Sequence, residues 1–303
     1  MQTLRIATRS SPLALWQARF VAEQIEAALG RSCELLPMST SGDRWLAGSL
    51  ASQGGKGLFV KELETALLSG QADLAVHSLK DVPMELPAGL GLACYLARHE
   101  PADALVGARD LGELADGAVI GTASQRRTML LKQARPDLEI RLLRGNVNTR
   151  LAKLDAGDYD AIVLAASGLQ RLGMADRIGG LLDTDWMIPA PGQGILAIET
   201  RAADVELNTA LAGLGCAQAQ SAAEAERALS RALGGSCSLP LAGYCRTTKQ
   251  GWRMRAALGM PDGSQVVHAQ LTADDGDAAA LGLAAAEALR DDGGDAVLAA
   301  LAT

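Results

Sequence analysis

The stretch Ala118-Val119-Ile120-Gly121-Thr122-Ala123-Ser124-Gln125-Arg126-Arg127 decides the fold class. Its apolar start reads as a buried strand over 118–121, Thr122 to Ser124 as a turn, and 125–134 as a helix that ends before Pro136. Strand, hydroxyl-bearing turn and helix in succession form the unit of an α/β fold. Arg126 and Arg127 fall in the first helical turn, where the helix dipole opposes a cation, so a bound anion would explain them. The pattern recurs on both sides. Downstream, 140–143 and 161–165 read as strands. The first runs into Arg144-Gly145-Asn146, with Arg150 one turn into the next helix, and the second into Ser167-Gly168 and a helix carrying Arg171. Upstream, 4–8 reads as a strand, followed by Arg9-Ser10, with Ser11 as N-cap and Pro12 as the first residue of a helix reaching 29. Such a turn either merely caps the helix or holds an anion on its free N–H groups. These residues alone leave both readings open.

A further apolar strand, 72–77, runs into Ser78-Leu79-Lys80-Asp81-Val82-Pro83. Ligands of open α/β sheets bind beyond the carboxyl ends of strands, which is where Lys80 and Asp81 lie. The pair reads either as a surface ion pair or as part of a site, and His77 as a core-edge histidine. Strands at 33–38 and 89–97 and a helix at 61–68 complete this unit, and 99–103 reads as the crossover to the next. The punctuated segment Pro191-Gly192-Gln193-Gly194 precedes a strand at 195–200 that carries the chain back to the first unit. Three domains are therefore expected: an α/β domain from 1–97 and 195–214, an α/β domain from 98–194, and a small α+β domain from 215–303. The last is read as a helix over 217–233, strands near 252–258 and 265–271, and helices over 278–290 and 295–301.

Composition narrows the function. The chain has 303 residues, 49% of them hydrophobic and 21% charged, enough for large buried cores. Its net charge of −7 and 3% aromatics argue against nucleic-acid binding. Between Val119 and Leu154, however, eight basic residues face only two acidic ones, a local field that asks for an anionic partner. Five cysteines without CxxC spacing and three scattered histidines support neither a disulfide framework nor a metal site. The N-terminal residues read as a strand rather than a targeting segment, and no run is long and apolar enough to span a membrane. A cytoplasmic protein with no membrane partner is expected.

The remaining feature is Gly234-Gly235-Ser236-Cys237-Ser238-Leu239-Pro240, which follows the long Ala-rich helix. Glycine ends the helix, and Ser and Pro hold a short turn. Cys237 there either fills a gap as a small apolar side chain or is presented as a nucleophile. The Gly-rich run from 39 to 59, which includes Lys56 and Phe59, reads as a flap; its spacing is not that of a phosphate-binding loop. Strand ends that deliver several guanidinium groups suit a ligand with several carboxylates or phosphates. Asp81 would be the acid of such a cationic site, able to stabilise a developing cation or move a proton.

Across nearly its whole length the sequence resembles the porphobilinogen deaminase family. The motifs are Arg5-Ile6-Ala7-Thr8-Arg9 with Ser11-Pro12-Leu13-Ala14, Gly54-Gly55-Lys56-Gly57-Leu58-Phe59, His77-Ser78-Leu79-Lys80-Asp81-Val82-Pro83, Arg126-Arg127, Leu143-Arg144-Gly145-Asn146-Val147, Pro191-Gly192-Gln193-Gly194 and the Cys237 turn. The resemblance implies two periplasmic-binding-protein-like α/β domains around a cleft, a small α+β C-terminal domain, and a dipyrromethane cofactor in thioether linkage to Cys237. It implies a monomeric transferase that deaminates four porphobilinogen molecules, condenses them head to tail on that primer, and releases hydroxymethylbilane by hydrolysis. On the same resemblance Asp81 is catalytic. Arg9, Arg126, Arg127, Arg144, Arg150 and Arg171 hold acetate and propionate groups, while Ser11, Ser78, Lys80, Thr122, Ser124 and Gln193 add contacts. Lys56 and Phe59 belong to the flap over the growing chain. A receptor on the same fold is the rival reading, and it leaves Lys80-Asp81 and the cysteine turn without a role.

Overall fold

Short, nearly continuous apolar runs build two sheets, each covered on both faces. The structure, a computed structural model, describes residues 3–40, 60–235, 239–274 and 278–302. The chain forms two compact units, residues 1–99 with 194–220, and residues 100–193 with 221–303.

In the first unit, β1 (Leu4–Arg9), β2 (Cys33–Met38), β3 (Leu74–Ser78), β4 (Leu90–Tyr95) and β10 (Leu196–Arg201) form one sheet in the order β2-β1-β3-β10-β4. β1 runs parallel to β2 and β3, and β10 antiparallel to β3 and β4. Alternation along the strands separates two cores. Ile6, Leu74 and Val76 pack with Ala18, Val21 and Ile25 of α1 (Pro12–Leu29). Ala7 and Ala75 pack with Leu63, Ala66 and Leu67 of α2 (Lys61–Leu68). A further helix, α6 (Val205–Ala212), adds Leu207 and Leu211 to the first of these cores.

The second unit repeats the arrangement. Its strands are β5 (Asp103–Val106), β6 (Val119–Thr122), β7 (Glu139–Leu142), β8 (Ala161–Ala165) and β9 (Gly180–Leu182), ordered β7-β6-β8-β5-β9. β6 is parallel to β7 and β8, and β5 is antiparallel to β8 and β9. Leu105, Ile120 and Val163 face Met129, Leu130 and Leu131 of α3 (Gln125–Ala134). Ala104, Ile162 and Leu164 face Leu151 of α4 (Val147–Asp155) and Leu169 of α5 (Ala166–Arg171).

The same unit holds an antiparallel meander of β11 (Leu241–Thr248), β12 (Gly251–Leu258) and β13 (Val267–Ala273). It shares a core with α7 (Ala217–Ala232), α8 (Ala278–Leu289) and α9 (Asp295–Leu301).

The structure also shows strands that the sequence reading did not list. The segment at 99–103 crosses from one unit to the other, as expected, and leads into β5, a buried strand between β8 and β9. It opens on Asp103, a residue type depleted from strands, and is too short to show a period. β11 escapes the pattern because Gly243 interrupts it. The close packing favours glycine there, since a Cβ would stand 2.6 Å from the end of the Leu229 side chain and 3.3 Å from Pro191. Among the described residues no helix is long and apolar enough to cross a membrane.

Candidate active site

Because β1 and β3 are parallel neighbours, their carboxyl ends share one edge of the first sheet. Arg9 ends β1, and Ser11 caps α1, its Oγ accepting from the Ala14 N–H at 3.4 Å. Ser78 ends β3, and its Oγ accepts from the Gln17 amide at 2.8 Å. One 3₁₀ turn, Leu79–Asp81, follows. Leu79 and Val82 are buried on either side of it, and the Leu79 N–H donates to the Ile195 carbonyl at 3.0 Å. The turn is pinned by its apolar residues, which leaves Lys80 half-buried and Asp81 exposed. Beneath it, His77 Nε2 lies 2.8 Å from Glu199 Oε2, both buried. Glu64 of α2 is buried nearby; burial first, then the Glu199 charge, push its carboxyl up, and His77 opposes them. Glu199 stands at the end of an apolar run and Glu64 in a short helix beside Glu62, so neither carries a distinctive sequence signal.

In the second unit β7, β6 and β8 bring three strand ends to one edge. At β6, Thr122 Oγ1 accepts from the Ser124 N–H at 3.2 Å, and Ser124 caps α3 by accepting from the Arg127 N–H at 3.4 Å. After β7, Arg144 precedes Gly145, whose φ of +115° suits glycine. Asn146 caps α4, and Arg150 donates through Nε to the Gly145 carbonyl at 2.8 Å. Beyond β8, Arg171 is 5% exposed, and burial pushes its guanidinium down to about 10.

Arg126 and Arg127 are also buried, and the anion they meet inside the chain is Asp103. Arg126 donates to Asp103 Oδ2 at 2.7 Å and to the Ile188 carbonyl at 2.7 Å. Arg127 donates to Asp103 Oδ1 at 2.6 and 3.1 Å and to the Val163 carbonyl at 3.0 Å. Gln193 turns its amide inward as well, to Asp103 Oδ1 at 2.9 Å and the Pro101 carbonyl at 2.6 Å. Burial alone would raise the Asp103 carboxyl; the charges and hydrogen bonds of the two arginines outweigh it and hold it well below the usual carboxylate range. Asp103 is the residue that sequence reading missed. β5 runs antiparallel, so its first residue, opposite Ala165, lies at the edge where β8 ends. Strand direction is not legible in a four-residue run.

One acid for two buried guanidinium groups leaves a positive surplus. Arg126 Nε and Arg144 Nε are buried with no hydrogen-bond partner among the described residues. A donor set of this kind suits a ligand bearing several carboxylates. Cys237, Lys56 and Phe59 lie outside the described residues. The helix before Cys237 ends on Gly234 and Gly235, with φ of +103° and +65°, and the Gly235 N–H donates to the Ser230 carbonyl at 2.8 Å. Among the described residues no group of three or more His, Cys, Asp or Glu could hold a metal ion.

Among solved structures, the chain is similar to the periplasmic VFT2 domain of Bordetella pertussis BvgS, with 19% identity over 69% of this chain and 85% of that one and a TM-score of 0.41. A putative methionine-binding lipoprotein from Bacillus subtilis matches at 13% identity over 69% and 88%, TM-score 0.42. An ABC transporter periplasmic substrate-binding protein from Coxiella burnetii matches at 15% over 72% and 94%, TM-score 0.43. These TM-scores are low, and nothing about those proteins' ligands transfers to this chain. Two family models match the sequence itself: "Porphobilinogen deaminase, dipyromethane cofactor binding domain" over residues 4–209 and "Porphobilinogen deaminase, C-terminal domain" over residues 221–291. Matched over both segments, the chain belongs to the porphobilinogen deaminase family.

Proposed function

We propose that Asp81 is the catalytic acid, and Cys237 the cofactor attachment point, of the reaction this family member carries out. It is a hydroxymethylbilane synthase of tetrapyrrole biosynthesis, which deaminates porphobilinogen, condenses four molecules head to tail, and releases hydroxymethylbilane. Its dipyrromethane cofactor supplies, when bound, the pyrrole carbon on which condensation begins. The observation that carries the proposal for Asp81 is its exposed carboxylate on a turn held by buried Leu79 and Val82. Such a group accepts from a pyrrole N–H and offsets the positive charge that develops as ammonia leaves. Arg9 at one sheet edge, and Arg126, Arg127, Arg144, Arg150 and Arg171 at the other, hold ligand carboxylates, while Ser11, Ser78, Lys80, Thr122, Ser124 and Gln193 add contacts to cofactor or substrate. Each ring added brings two more carboxylates, which is the use of a guanidinium surplus.

The same reading divides the chain into an α/β domain of 1–97 and 195–214, an α/β domain of 98–194, and a C-terminal domain of 215–303. It takes the enzyme as a cytoplasmic monomer that binds no nucleic acid; the acidic net charge and the free thiols Cys33, Cys94, Cys216 and Cys245 support this.

Denatured intact mass tests the attachment. The chain should exceed its sequence mass by two condensed pyrrole units, and Cys237→Ala should lose that increment. Its retention on another thiol, such as buried Cys245, would reassign the tether. Asp81→Asn should keep the fold and lose about 10²-fold or more in kcat. Near-normal turnover by that variant would remove Asp81 from its role.

A further inference from the structure

Glu226 is fully buried in the helix that leads to the cysteine turn, and its two carboxylate oxygens reach two different segments. Oε1 accepts from the N–H of Cys245 at 2.7 Å, and Oε2 from the N–H of Gly192 at 2.7 Å. Cys245 belongs to β11, the strand that follows the turn, and β11 is an edge strand whose outward N–H groups have no partner within the sheet. One carboxylate therefore joins the chain before Cys237 to the chain after it. The contact is tight in apolar terms too, since Gly243 of β11 lies against both Leu229 of α7 and Pro191.

The second link continues inward. Gly192 and Gly194 adopt φ of +78° and +88°, so the segment makes a turn that only glycine takes without strain. Between them Gln193 is 1% exposed and donates to Asp103, the carboxylate that also receives Arg126 and Arg127. A buried path thus runs from Glu226 through Gly192, Gln193 and Asp103 to the two guanidinium groups.

We infer that Glu226 is a positioning residue for cofactor attachment, clamping the helix before Cys237 and the strand after it to the Pro191–Gly194 segment and, through Gln193 and Asp103, to Arg126 and Arg127. This rests on the reading that Cys237 carries the dipyrromethane. A carboxylate is required because both partners are N–H donors. Glutamine keeps the size and one acceptor, but turns an amide N–H₂ toward the other donor.

The test is the rate at which the full-length chain, produced in cells that make no porphobilinogen and so free of cofactor, gains the two-ring mass increment on adding porphobilinogen, read by denatured intact mass and set beside thermal stability. Glu226→Gln, Gln193→Ala and the double variant are compared with wild type. If one path is shared, each single variant loads about tenfold more slowly, and the double is slowed no more than either single. Loading of Glu226→Gln at the wild-type rate, whatever its melting temperature, would reduce Glu226 to a structural residue. A double variant slowed by the product of the two effects, about a hundredfold, would overturn the shared path. Should Glu226→Gln fail to fold, Glu226→Asp, which keeps the charge on a shorter arm, decides with Gln193→Ala: slow loading by both supports the inference, and wild-type loading by both overturns it. A wild-type chain that never gains the increment would instead sink the cofactor reading, and this inference with it.

Discussion

At position 103 a single buried carboxylate meets two guanidinium groups and an amide. Its stabilising effect is large because removing it leaves two buried cations without their internal counter-charge. Asp103→Asn is expected to cost about 3–5 kcal/mol, checked by urea unfolding. The sign of the pH effect follows from the direction of the shift. The folded carboxyl is depressed below its unfolded value of about 3.9, so its contribution is complete above that pH and is lost as pH falls toward the folded value. Wild-type stability should therefore decline on the acid side below about pH 4, and the Asn variant should show a shallower decline there. Arg171 makes a different point: burial lowers its guanidinium to about 10, yet it remains a cation at neutral pH. Arg126 and Arg127 were legible as anomalous cations in a first helical turn. Their partner was not, because it lies 23 and 24 residues away on a strand of unknown direction.

Elements that present the candidate residues were the easiest to read, because each pairs an apolar run with a capping hydroxyl or amide. Ser11, Ser124 and Asn146 all accept from a first-turn N–H of the helix they precede. The close approach of α7 and α8 was not readable. A Cβ on Gly282 of α8 would lie 1.9 Å from the Ala225 carbonyl oxygen of α7, a backbone atom that cannot swing aside. Helix propensity alone would favour alanine there by about 1 kcal/mol. Overlap with backbone outweighs that gain, typically by 1–3 kcal/mol or about that much more, so Gly282→Ala should lower the melting temperature. An unchanged or raised melting temperature would mean that the two helices part freely. β5 and β11 were missed for related reasons: a four-residue strand shows no period, and the glycine that lets β11 pack against α7 reads as a break.

For the molecule as a whole, the chain changes from one compact unit to the other after residues 99, 193 and 220. A chain of net charge −7 concentrates eight basic residues against two acidic ones between Val119 and Leu154, all in the second unit. A ligand that supplies the missing negative charge binds the folded state alone, and so raises its stability. Protein freed of its dipyrromethane is expected to melt about 4 °C or more below the loaded form, measured by calorimetry on samples whose occupancy is known by mass. Equal melting temperatures would show that the cofactor's carboxylates do not relieve this surplus. By itself the sequence determined the alternation of strands and helices, the strand ends that present Arg, Ser and Asp81, and the family, because these depend on local periodicity, capping chemistry and the order of short motifs. Only the tertiary structure decided that Asp103 answers Arg126 and Arg127, and that Glu226 joins both sides of the cysteine turn. The physical reason is that a buried charge is compensated by whatever the fold brings within hydrogen-bonding distance, and separation along the chain does not record that distance.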